Sequence, residues 1–107
     1  MANAFKNAGA AIGTSRTDVY TCPASTETVV HAVYLSNVDG TSSVDATIEV
    51  YDNSTTTYFH VGKTIPVPAD STLVLDKPIN LNASDKLTVT ASAASDLECF
   101  ISVLEIT

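Results

Sequence analysis

Residues 44–52, V-D-A-T-I-E-V-Y-D, put Val44, Ala46, Ile48 and Val50 on one side of an extended chain and Asp45, Thr47, Glu49 and Tyr51 on the other. Side chains repeat every two residues in a strand and every 3.6 in a helix, so this alternation predicts a half-buried β-strand with one dry and one wet face. A helix would scatter the same apolar residues around its circumference. The chain is thereby committed to a sheet.

The flanking sequence extends the pattern. Short strands are expected over 18–22, stopped by Pro23, over 28–36, and over 56–61, broken at Gly62-Lys63. Ile65-Pro66-Val67-Pro68 is extended and confined to a sheet edge, because proline lacks the N–H that a ladder needs. Further strands follow over 72–75, 79–81, 86–91 and 97–106. Between them lie turn formers such as Asn37-Val38-Asp39-Gly40 and Asn82-Ala83-Ser84-Asp85. Fifteen Thr and eleven Ser in 107 residues suit the wet rows of such strands. The expected fold is all-β: an antiparallel β-sandwich, jelly-roll-like or immunoglobulin-like, of about eight short strands over residues 17–107.

Residues 1–16 have little periodicity and are expected as an extended N-terminal arm, disordered in the free protein or ordered against a neighbouring subunit. Phe5 and Ile12 are its large apolar residues, and Lys6 and Arg16 its charges. The arm carries +2, whereas residues 17–107 carry three Lys against twelve acids, or −9. An acidic body repels phosphate backbones, so no nucleic-acid partner is expected. No apolar run approaches the ~20 residues of a membrane span, and none has the form of an export signal; no membrane partner is expected either.

Catalytic signatures are missing from the sequence: there is no Gly-x-Ser-x-Gly elbow and no Gly-rich phosphate loop, and the acids fall in turns or on wet faces. No enzyme activity and no cofactor are expected. His31 and His60 are weak zinc candidates without a nearby Cys, and Asp39, Asp45, Asp52 and Asn53 lack the spacing of a calcium loop. The histidines are read as ordinary strand residues, and the acids as residues of turns or wet faces. Cys22 and Cys99 are expected as buried free thiols.

A sandwich needs one inward row per strand, yet 28–36 and 97–106 are apolar on two. Val30, Tyr34, Phe100, Leu104 and Ile106 are therefore surplus, and with Phe5, Ile12 and Arg16 they are the expected partner-binding residues. The same surplus predicts a homo-oligomer.

Y-T-C-P-A (20–24), Y-L-S-N-V-D-G-T (34–41), I-E-V-Y-D (48–52), I-P-V-P-A-D-S (65–71), S-D-K-L-T-V-T-A-S-A-A-S-D-L (84–97) and S-V-L-E-I (102–106) together resemble the small β-sandwich virion proteins of tailed bacteriophages. The resemblance covers residues 17–107. Such relatives often carry Gly where this chain has Asp70 or Ser84, which bears on the turns there. The resemblance implies a non-enzymatic virion component whose partners are the major capsid protein or other virion subunits. The leading form is a capsid decoration (cement) protein whose arm lies across neighbouring capsid subunits; the alternative is a neck or tail component. It also implies residence in the virion after synthesis in the host cytoplasm. A carbohydrate-binding adhesin module is a third reading, disfavoured because sugar-binding faces use exposed aromatics and this chain has four Tyr and no Trp.

Overall fold

A computed structural model describes residues 2–107. Among the described residues there are nine strands: β1 (Asn3–Ile12), β2 (Thr17–Thr21), β3 (Glu27–Asn37), β4 (Val44–Asp52), β5 (Thr57–Val67), β6 (Thr72–Leu75), β7 (Ile79–Leu81), β8 (Lys86–Ala91) and β9 (Leu97–Ile106). Sheet A has the order β1-β9-β3-β6, with β7 also paired to β3, and sheet B the order β2-β8-β4-β5. The bounds of β4, β6, β7, β8 and β9 coincide with those read from the sequence.

The pairing is nested. β1 pairs with β9, β2 with β8, β3 with both β6 and β7, and β4 with β5, all antiparallel. With β6 and β7 counted as one interrupted strand, this is a single long hairpin of eight strands wound over two sheets. That is the jelly-roll order, and it separates the fold from an immunoglobulin sandwich, which is built from local Greek-key connections.

The core lies between the sheets. Val33, Leu35, Ile101 and Val103 from sheet A meet Val44, Ala46, Ile48, Leu87 and Val89 from sheet B, all at most 1% exposed. Each large aliphatic side chain so buried stabilises the fold by about 1.5 to 3 kcal/mol.

Three local features depart from the sequence reading. Residues 3–12, expected as an irregular arm, form a strand paired along its whole length with β9, from Asn3 opposite Ile106 to Ile12 opposite Leu97. Its alanines and glycine suit an edge where few large side chains are needed. β3 carries a bulge at His31, between the pairs Val30–Val103 and Ala32–Ser102. One extra residue reverses the alternation, so Thr28 and Val30 face inward before it and Val33 and Leu35 after it. Third, β5 runs through Gly62-Lys63, where a break was expected. The irregularity appears instead as register shifts against β4, with Gly62 opposite Ile48. Pro66 lies on this edge strand, where its missing N–H faces no neighbour.

Asp70 and Ser84 both have left-handed backbones, with φ of 57° and 72°. These are turns in which glycine would fit without strain.

Candidate functional site

The outward side chains of sheet A fall into rows that cross the strands. Gly9, Phe100, Tyr34 and Val74 are successive neighbours in one row, and Phe5, Leu104, Val29 and Asn80 in another. Phe5 is 81% exposed, Phe100 47%, Val74 46% and Tyr34 39%, whereas Leu104 and Ile106 are half-buried. Phe5 also stacks on the bulged His31, with ring centroids 6.2 Å apart. Among the described residues of this face, acids stand in its end rows, Glu98 beside Ala11 and Glu27 beside Ile106. Between these ends the face carries no carboxylate, lysine or arginine: the two apolar rows flank a polar one, Asn7 beside Ser102 with the exposed His31 ring next to it, on a protein of net charge −7.

Five of the eight expected partner-binding residues, Phe5, Tyr34, Phe100, Leu104 and Ile106, thus share one outer surface. The other three do not. Val30 is 0% exposed, because the bulge turns it into the core, and Ile12 is 1% exposed where β1 ends against Leu97. Arg16 is spent within the chain. Its Nε and Nη2 donate to Glu49 Oε1 at 3.1 and 3.0 Å, and Nη2 also donates to Oε2 at 3.1 Å. Its guanidinium lies 3.7 Å from the Tyr58 ring centroid, and His60 Nε2 lies 3.6 Å from Glu49 Oε2. Val29 and Val74 belong to the exposed surface and were not anticipated. For Val29 the missed signal is the bulge, which leaves no mark in composition; for Val74 it is that β6 lies on an edge, open to solvent.

A second polar group sits inside one end of the sandwich. Tyr20 donates its hydroxyl proton to Glu105 Oε2 at 2.5 Å and lies 2.9 Å from Thr28 Oγ1. Lys6 closes the other side of Glu105, with Nζ 2.9 Å from Oε1. These hydrogen bonds, that of Tyr20 first and then that of Lys6, hold the Glu105 carboxyl below the ordinary carboxylate range. Burial, helped by Glu105, pushes Tyr20 up to about 12. Cys22 Sγ touches Thr28 Oγ1 at 3.2 Å, and burial raises its pKa too. Both cysteines are free and buried, and burial alone pushes Cys99 up to about 12, so neither thiol is poised as a nucleophile.

The remaining candidates do not assemble. His31 is on β3 of sheet A and His60 on β5 of sheet B. Asp45 and Asp52 lie at opposite ends of β4, about 23 Å apart at the rise of a strand. Asp39 and Asp52 instead accept from the backbone of residues two further on, Thr41 and Ser54, shaping their own turns. Among the described residues no group of three or more His, Cys, Asp or Glu is placed to hold a metal ion.

No known family model and no curated protein matches this chain. Solved structures do. A protein of the Bacillus endospore appendages, described as disulfide-linked pili, has a TM-score of 0.61 at 20% identity over 99% of this chain and 87% of its own. A chain from the acid-stable capsid of Helicobacter pylori bacteriophage KHP30 has a TM-score of 0.59 at 15% identity, covering 100% of this chain and 89% of its own. A pentameric capsid protein isolated from metagenomic phage sequences gives 0.52 at 20% identity, over 90% of this chain and 59% of its own. At these identities the likeness is one of architecture: this chain is an all-β jelly roll of the kind found in those three proteins.

Proposed function

We propose that this chain is a non-enzymatic structural subunit of a bacteriophage virion, in its leading form a capsid decoration protein. The observation that carries the reading is the uncharged outer face of sheet A. Phe5, Val29, Tyr34, Val74, Phe100, Leu104 and Ile106 line it, and it offers apolar contact area on an otherwise acidic protein. Such a surface fits a flat, apolar patch on a rigid protein shell. The fold it shares with the two phage capsid proteins supports the same reading. Attachment then runs through a sheet face of which β1 is part, and not through a loose arm. A neck or tail position uses the same face against a different subunit.

Immunogold labelling of intact virions with antibody to this chain tests the proposal. Gold spread over the head supports the decoration reading, and gold confined to the neck or tail supports the alternative. Gold on filaments of the producing cell, with none on virions, overturns both in favour of a pilus-like fibre subunit.

A further inference from the structure

Four lateral edges bound the two sheets, and an edge strand presents unpaired N–H and C=O groups that invite another chain. Three of the four are blunted. β2 has five residues and a bulge between Asp18 and Tyr20. β6 and β7 have four and three, interrupted by Asp76-Lys77-Pro78. β5 carries Lys63, Pro66, a left-handed Thr64 with φ of 48°, and two register shifts. β1 has none of these devices: it is ten residues long, contains no proline, and keeps an unbroken register with β9. Lys6, its one charged residue, is tied to Glu105. The strand is also free of acids, whereas residues 17–107 carry −9. Two copies approaching one another are least repelled along this edge.

We propose that β1 is a dimerisation edge, at which two copies pair β1 with β1, antiparallel about a two-fold axis, and fuse their A sheets into one. The register follows from the side chains. Outward residues must meet outward residues, so the axis passes through a residue and not between two. Centring it on Lys6 sets two ammonium groups opposite each other. Centring it on Asn7 pairs residues 3–11 of each copy and places Lys6 against Ala8 of the partner subunit. It also sets Phe5 opposite Gly9 of the partner subunit, so that the ring meets the edge of the Phe100 ring, which in each copy lies 3.3 Å from where a Gly9 Cβ would stand. Phe5, the most exposed large apolar residue described, thereby gains cover and extends the row of Gly9, Phe100, Tyr34 and Val74. The inference rests on the edges of the sheets alone, so it stands or falls separately from the virion reading.

The test is sedimentation equilibrium of the full chain, native and with Asn7→Asp or Asn7→Lys. Position 7 is exposed and self-opposed in the dimer, so either charge meets its own copy. Both variants are expected to weaken dimerisation at least tenfold with unchanged circular dichroism, even though they move the net charge in opposite directions. Asn7→Cys is expected to form a covalent dimer on mild oxidation, and Lys63→Cys on β5 is not. A native chain that stays monomeric at high concentration overturns the proposal, as does a dimer indifferent to both charges at position 7. Equal cross-linking at positions 7 and 63 overturns it as well.

Discussion

Tyr20 on sheet B gives its hydroxyl proton to Glu105 on sheet A, 85 residues further along, and at 2.5 Å the pair pins the two sheets together through the interior. Tyr20→Phe removes that donor and leaves Glu105 with Lys6 as its remaining partner. The expected loss is about 1 to 3 kcal/mol, measured by urea unfolding at neutral pH. An unchanged midpoint and slope would show the hydrogen bond to be redundant.

The same pair shapes stability against pH at both ends. The folded pKa of Glu105 is depressed, so its contribution is complete above the unfolded value near 4.5 and is lost as pH falls toward the folded one. Tyr20 is raised from 10.0 to about 12, so its contribution is complete below pH 10 and disappears as pH climbs through 12. Thermal unfolding from pH 2 to 12 should show both limbs. Glu105→Gln is expected to flatten the acid limb; Tyr20→Phe is expected to remove the alkaline one and, because its hydrogen bond is the first cause of the Glu105 shift, to make the acid one shallower as well.

The Arg16–Glu49 pair is asymmetric, since the arginine side chain is 43% exposed and the glutamate 7%. Arg16→Ala strands a buried carboxylate with His60 beside it and is expected to cost about 1 to 3 kcal/mol. Glu49→Gln strands only a half-exposed cation and is expected to cost less than about 1 kcal/mol. Equal losses in urea titrations would contradict this account of the pair.

Two backbone positions give opposite signs. Ser84 holds a left-handed φ of 72°, and Ser84→Gly is expected to stabilise by about 0.5 to 1 kcal/mol once strain relief is set against the greater freedom of the unfolded chain. Gly62 is different. A Cβ there would meet the Cδ1 tip of the half-buried Ile65 side chain, which must swing aside, with Ile48 behind it, so Gly62→Ala is expected to cost less than about 1 kcal/mol. Differential scanning calorimetry resolves both.

The two thiols supply a chemical check. Cys22 and Cys99 are expected to resist iodoacetamide in the native protein at pH 8 and to take up two alkyl groups in denaturant without any reductant. A mass two alkyl groups short under those conditions would reveal a disulfide.

Much of this architecture was legible because alternation is a local signal. Val44–Asp52 reads as a strand with no knowledge of its neighbours, and the inward row of Leu97, Cys99, Ile101 and Val103 is visible in the bare sequence. What failed was phase and pairing. The bulge at His31 swaps the faces of β3 halfway along, so Val30 read as surplus although it lies with Val33 and Leu35 in the core. β1 was read as a loose arm because Ala and Gly have weak strand preference, and its order comes from β9, more than eighty residues away. Arg16 read as a free cation for the same reason: its carboxylate is 33 positions distant. The exposed face was half legible, since a surplus of apolar side chains can be counted, but the surface that receives them depends on register.

β9 lies between β1 and β3, so the strand made after all the others is the one on which half of sheet A must close. During synthesis β1 has no partner, and β3 holds only its short pairings with β6 and β7, so Val33, Leu35 and the β3 edge stand open to any strand nearby. Pairings this distant in sequence form slowly, because the loop must close before any contact rewards it. In a nascent chain sheet A is therefore closed last, after all four strands of sheet B have been made. Crowded translation of many copies from one message is the condition under which they are most exposed to pairing with each other before they can pair with themselves.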